Sequence, residues 1–231
     1  MYSQEKNIII SLFDYSGHWP SPYKKAGYQI IYVDIRNGID ILKWDYNIID
    51  KSKVFGILAA PPCTHFSKAS SIHWFDYDIE GKTARSLLLI QTTLNIINHF
   101  NPEFWAIENP PGRLSKIYPP IAKYKLLRFE PWQFGDPFFK QTELYGEFNP
   151  WLIQKPVKPI YKISAGRKAP TIMQYYNKKY PGQSRATYRS ITPQGFAQAF
   201  FNANRNIAFE NLLTSQSLTA RTNKTSEHFI Q

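Results

Sequence analysis

Cysteine is almost absent from this chain: its 231 residues hold one, Cys63. A lone cysteine excludes an internal disulfide and any cluster of thiolate metal ligands, and it suits a reducing compartment such as the cytoplasm. Acidic residues are scarce as well, 17 against 28 Lys and Arg, which leaves a net charge of +11. That excess fits either a solvated basic surface or a polyanionic partner, with nucleic acid the leading candidate. Long apolar runs are missing too. No segment has the length of a transmembrane helix, and the start, MYSQEKNIIISLF, lacks the basic region and long apolar core of a signal peptide. His73 and His99 make no metal-ligand pattern, so no metal is expected. Neither an internal repeat nor a low-complexity segment is present. What the chain does have is apolar residues, 43% of the total, enough for a sizeable core. Aromatics reach 16%, so many Tyr and Trp are expected at partly exposed positions.

The apolar runs alternate with helical patterns. NIIISLF (7–13), YQIIYVDI (28–35), VFGILAA (54–60) and PEFWAIEN (102–109) read as strands. Pro20 and Pro22 suit the opening of a short helix that Gly27 closes. TARSLLLIQTTLNIINHF (83–100) has apolar residues at helical spacing. KLLRFEPWQFGDPFFKQTELYGEF (125–148) reads as paired short strands around a loop, and ITPQGFAQAFFNAN opens a last helix near Pro193. This order predicts an α/β fold with a mostly parallel sheet and helices on both faces. The expected organisation is a core over 1–149, a basic and aromatic segment over 150–189, a helix returning to the core over 190–213 and a flexible tail over 214–231.

In such sheets ligands bind beyond the carboxyl ends of the strands. Asp34, Cys63 and Glu108 each fall at a predicted strand end, so three reactive side chains are expected on one edge. A free cysteine at a strand end is most often a small buried residue. Two prolines before it, in PPCTHFS, remove two donors and stiffen the loop, which suits a thiol held in a fixed pose. Glu108 lies 45 residues further on, about one helix and one strand, a spacing that returns a parallel chain to the same edge. By itself IENPPG reads as an ordinary turn. His65 follows two residues after the cysteine, but side chains so close on a loop rarely meet in line as a dyad.

FDYSG, PPCTHFS and IENPPG, in that order, resemble the first, fourth and sixth motifs of the cytosine-5 DNA methyltransferases. FGDPFFKQTELYGEF is similar to that family's eighth motif, and SITPQGFAQAFFNAN to its last; together the five span about residues 7–210. The resemblance implies a Rossmann-like, S-adenosylmethionine-dependent methyltransferase fold. It implies that Cys63 attacks C6 of cytosine, that Glu108 engages the N3 edge, and that C5 takes the methyl group. It implies a cofactor site of Phe13, Ser16, Gly17 and Pro61, with Asp34 at the ribose hydroxyls and Asp40 at the adenine amino group. Either aspartate reads equally as a helix cap or turn residue. The target base in duplex DNA would have to be flipped out of the stack.

The chain also departs from the family. Lys140 and Thr142 stand where its eighth motif carries arginines, which keeps one charge but loses the bidentate fork. Lys140 reads equally as a solvated turn lysine, and Arg185 or Arg189 are candidates to supply what is missing. The family's long target-recognition region is reduced here to about 150–189. Within it Lys168, Lys178, Lys179, Arg185 and Arg189 interleave with Trp151, Tyr161, Tyr175, Tyr176, Tyr180 and Tyr188. That pattern suits phosphate contact with base stacking, and equally tyrosines packed on a core. Few groups remain for base-edge readout, so a short or weakly specified target is expected. A compact member of this kind resembles phage or mobile-element enzymes that modify DNA against restriction. Two other readings stay open: a pyrimidine-C5 methyltransferase acting on a free nucleotide, and an inactive relative that only binds nucleic acid.

Overall fold

In the computed structural model, residues 6–164, 167–170 and 172–206 are described. The tail expected over 214–231 lies outside them. Six strands form one sheet: β1 (Ile8–Leu12), β2 (Gln29–Val33), β3 (Val54–Ala59), β4 (Phe104–Asn109), β5 (Lys125–Phe129) and β6 (Thr142–Glu147), in the order β2-β1-β3-β4-β6-β5. The first four run parallel, and β6 is inserted antiparallel between β4 and β5. The expected Rossmann-like α/β fold with a mostly parallel sheet is therefore observed.

Both faces of the sheet are covered, which is why β1 and β3 read as unbroken apolar runs. Ile8, Ile10 and Leu12 point into one core layer, and Ile9 into the other. Helix α3 (Lys82–Phe100) fills the first layer and buries Thr83, Ser86, Ile90, Thr93, Ile97 and Phe100 along one stripe. On the other face lie α1 (Ser21–Lys25), with a proline in its first turn, and α8 (Gln194–Ala203). Phe196 of α8 stacks on Phe129 with ring centroids 4.0 Å apart. Between these elements come α2 (Trp74–Ile79), α4 (Leu114–Ile117) and α5 (Pro119–Ala122).

The bounds of the last helix need correction. The last helix, expected over 190–213, covers Gln194–Ala203. Asn204 turns the chain out of it, and the Asn204 amide donates to the carbonyls of Phe200 and Asn149 instead of extending the helix. Residues 207–213 lie outside the described residues. The segment 150–189, in which no period is visible, is ordered into a hairpin of β7 (Tyr161–Ser164) and β8 (Arg167–Pro170), then α6 (Ile172–Lys179) and α7 (Arg185–Ser190). Its signal is hidden because the helices are short and pack on Phe138 from outside, through Ile172, Tyr176 and Tyr188.

Candidate active site

The sheet order reverses between β1 and β3, the switch point at which open α/β sheets bind ligands beyond the carboxyl ends of their strands. The turn after β1 lies on one side of that point and the Cys63 loop after β3 on the other. Ala60 N donates to Leu12 O at 3.0 Å, which ties the two exits together just ahead of the buried Pro61.

Asp14, missed in the sequence, organises the first turn. Its buried carboxylate accepts from Ser16 Oγ at 2.6 Å, Gly17 N at 2.9 Å and Trp19 N at 3.3 Å. Phe13 and Gly17 both sit at positive φ, 60° and 64°. A Cβ on Gly17 would also lie 3.3 Å from the Tyr32 ring. Trp19, fully buried, packs on Phe196 and Phe200 and so seats the turn on α8. Asp34, just past β2, accepts from Arg36 N through Oδ1 at 2.8 Å, while its Oδ2 takes no hydrogen bond among the described residues. Asp40 caps Leu42 N at 3.0 Å in a surface turn. A glycine turn and an aspartate with one free carboxylate oxygen, on adjacent strand ends, fit a nucleoside cofactor.

The cysteine loop is closed by Phe66 N and Ser67 N, both donating to Cys63 O at 3.0 and 2.9 Å. It is locked to the loop that follows β4. Arg113 N donates to Phe66 O at 2.9 Å, Lys68 N donates to Pro111 O at 3.1 Å, and Ser67 bridges Gly112. The Arg113 guanidinium reaches His65 O at 3.1 Å, Thr83 Oγ1 at 2.9 Å and both oxygens of Asp78 at 2.7 Å. It also lies over the Trp74 ring. Sequence reading missed this clamp, since an arginine after Pro-Pro-Gly carries no signal for a partner 35 residues back. Asp78→Ala leaves a buried guanidinium half-paired. It is expected to lower the urea unfolding midpoint, by less than a fully buried pair would because Asp78 is half exposed.

His65 is not paired with the cysteine. Its Nδ1 shares a 2.6 Å hydrogen bond with Ser86 Oγ, and its ring meets Tyr77 edge-on. Burial pushes the His65 pKa down, with Lys82 and Arg113 adding to the effect.

Glu108, near the end of β4, meets Lys140 from the turn before β6, with Lys140 Nζ 3.4 Å from Oε1. The contact is an ion pair without hydrogen-bond geometry, so Oε1 stays buried and unsatisfied among the described residues. Both side-chain atoms of the fully buried Asn109 are unsatisfied as well. Buried polar groups left without a partner are uncommon in folded proteins, and each calls for an explanation. Burial raises the Cys63 thiol pKa and the Glu108 carboxylate adds to the rise, while the charges of Lys140 and Arg189 oppose it. Cys63, Glu108, Lys140 and Arg189 therefore share one electrostatic field. Thr142 is buried, and its Oγ1 donates to Lys140 O at 2.8 Å, where it steadies the lysine's backbone.

Of the basic residues, Lys178, Arg185 and Arg189 are exposed on α6 and α7. Lys179 Nζ donates to Gln194 Oε1 at 2.6 Å, which engages it within the chain. Lys168 lies on β8, and its side chain is outside the described residues. Tyr176 and Tyr188 are buried against Phe138 and cannot stack on bases, whereas Trp151 is 84% exposed. Among the described residues, no group of three or more metal-ligating side chains converges, and no helix is long and apolar enough to cross a membrane.

No protein-family model matches the chain. It is 27% identical over 105 residues, 41% of its length, to a probable DNA (cytosine-5)-methyltransferase of Frog virus 3. It is 27% identical over 139 residues, 53% of its length, to the type II methyltransferase M.FnuDI of Fusobacterium nucleatum. It spans 49% and 38% of those relatives' own lengths. Among solved structures, a putative DNA modification methyltransferase encoded within a prophage in E. coli is similar at a TM-score of 0.45 and 17% identity, over 66% of this chain and 52% of that one. The Entamoeba histolytica methyltransferase EhMeth is similar at 0.45 and 17%, over 68% and 59%. The two sequence relatives, one named a probable DNA (cytosine-5)-methyltransferase and the other a type II methyltransferase, are thus DNA-modifying enzymes by name, and the chain is similar to each over about half of its own length.

Proposed function

We propose that the chain is a DNA methyltransferase that transfers a methyl group from S-adenosylmethionine to C5 of cytosine through a bond between Cys63 Sγ and C6. One observation carries this reading: the Cys63 loop is locked to the end of β4, where Glu108 keeps a buried, unsatisfied oxygen beside Lys140. An unactivated C6 is a poor electrophile, and a carboxyl at N3 withdraws charge as the thiolate adds. Lys140 balances the charge of Glu108 and favours the thiolate. Saturation at C6 makes C5 nucleophilic; once C5 is methylated, a base removes its proton and Sγ leaves as the ring double bond re-forms. Phe13, Ser16, Gly17, Pro61 and Asp34 would hold the cofactor, with Asp40 at its adenine end, and the cofactor supplies the methyl group when bound. The pair α6–α7 serves as a reduced recognition module: Lys178, Arg185 and Arg189 contact phosphates of a duplex whose target base is flipped out, with Lys168 and Lys179 at its margin. The working compartment is the cytoplasm.

A tritiated-methyl transfer assay on unmethylated DNA, with dCMP and dCTP alongside, tests the substrate. Label on DNA is expected; label on mononucleotides alone would overturn the DNA reading. Lys140→Gln is expected to shift the rise of the pH–rate profile for adduct formation to higher pH. The sign follows from the charges: Lys140 lowers the thiol pKa, so its removal leaves burial and Glu108 to raise it further. An unmoved profile would show that Lys140 does not act on the thiol.

A further inference from the structure

We propose that Asp136 is a positioning residue that fixes the α6–α7 module to the turn carrying Lys140, so that the module's grip on DNA is registered to Cys63. This rests on the DNA methyltransferase reading above. Asp136 is 4% exposed, and its carboxylate is met by neutral donors from two separate elements. Oδ2 accepts from Gly195 N, in the first turn of α8, at 2.8 Å. Oδ1 accepts from the Tyr175 hydroxyl of α6 at 3.3 Å. The positive end of α8 favours a buried charge there. An apolar side chain in its place would leave both donors unpaired.

The same short turn carries the other half of the joint. Phe138, fully buried, inserts between α6 and α7, with Tyr175 and Tyr176 rings 5.2 and 5.3 Å from its own. Two residues later Lys140 N donates to Glu130 Oε2 at 2.8 Å, and Lys140 Nζ faces Glu108. Tyr188 in that cluster belongs to α7, which bears Arg185 and Arg189. Arg189 is the module's charge that acts on Cys63. A continuous set of contacts thus runs from the phosphate-facing arginines through Phe138 and Asp136 to the lysine beside Glu108. Loosening it by an ångström would misplace the target base relative to the thiol, a kind of error that catalysis tolerates poorly.

The test uses Asp136→Ala, Asp136→Asn and Tyr175→Phe in the full chain, with the rate of covalent trapping on duplex DNA containing 5-fluorocytosine at saturating DNA and S-adenosylmethionine. Asp136→Ala is expected to slow trapping about tenfold or more and Tyr175→Phe about threefold, with S-adenosylhomocysteine affinity by calorimetry within about twofold of wild type. Asp136→Asn keeps an acceptor for Gly195 N and is expected to recover most of the rate. Wild-type trapping rates in Asp136→Ala and Tyr175→Phe, with only the unfolding temperature lowered, would make Asp136 a structural cap and overturn the proposal. If Asp136→Ala does not fold, Tyr175→Phe carries the test, and a wild-type trapping rate in it would overturn the proposal. A wild-type protein that binds S-adenosylhomocysteine but never forms an adduct on DNA would overturn the reading beneath it as well.

Discussion

Cys63→Ala is expected to abolish methyl transfer to DNA and covalent trapping on 5-fluorocytosine DNA while leaving the fold and cofactor affinity intact. In the proposed mechanism the thiol supplies the bond that makes C5 nucleophilic, and no neighbour among the described residues offers a replacement. His65 is bonded to Ser86, and Cys63 is the chain's only cysteine. The substitution removes one sulfur from a half-buried position, so unfolding should change by less than about 1 kcal/mol. Loss of transfer with an unchanged unfolding midpoint separates nucleophile from packing residue. Transfer that survives at wild-type rates would remove the proposed mechanism. The electrostatics add a check in wild type. The thiol pKa is raised above its ordinary value, chiefly by burial, so adduct formation should climb with pH through the neutral and alkaline range. A flat profile across that range would argue for a thiolate already formed in the free protein.

The common edge was legible because parallel strands place their carboxyl ends together. That rule put Asp34, Cys63 and Glu108 at one edge, since each falls at the end of an apolar run long enough to name as a strand, and the resemblance gave them their proposed roles. Lys140 followed from the resemblance and lies where it meets Glu108. The groups that hold these residues in place were illegible. Asp14 and Asp136 look like turn residues in sequence, and their meaning comes from partners on other elements: Trp19 seated on α8, Gly195 and Tyr175. Arg113 and Asp78 form a clamp across α3's first turn that no local pattern encodes. The tyrosines of 172–190 were ambiguous for a related reason. An exposed stacking platform and a small satellite core require the same residue type, and only the placement of Phe138 decides that Tyr176 and Tyr188 serve the second.

Gly112→Ala is expected to cause a large loss of stability and to slow adduct formation with it. A Cβ there would fall 1.9 Å from Phe66 O and 2.8 Å from Phe66 C, both backbone atoms that cannot rotate away. Relief requires the β4 exit loop and the cysteine loop to separate. That would break the Arg113 N to Phe66 O and Lys68 N to Pro111 O hydrogen bonds and draw the Arg113 guanidinium from His65 O. Overpacking of this kind costs about 1–3 kcal/mol, and two lost backbone hydrogen bonds add about 1 kcal/mol each. The expected total of about 3–5 kcal/mol is a large share of a domain's net stability. It should appear as a lower urea midpoint with the slope unchanged. Where the variant stays folded, the chemistry should suffer separately if the lock between the two loops also holds Cys63 in register with Glu108. A displacement of about 1 Å is enough to cost about a hundredfold in rate. Trapping on 5-fluorocytosine DNA below the unfolding transition measures that loss. A variant with a wild-type midpoint and wild-type trapping would mean that the two loops are not held together through Gly112. A lowered midpoint with wild-type trapping would confine the lock to stability and leave the alignment of thiol and carboxylate to β3 and β4 themselves.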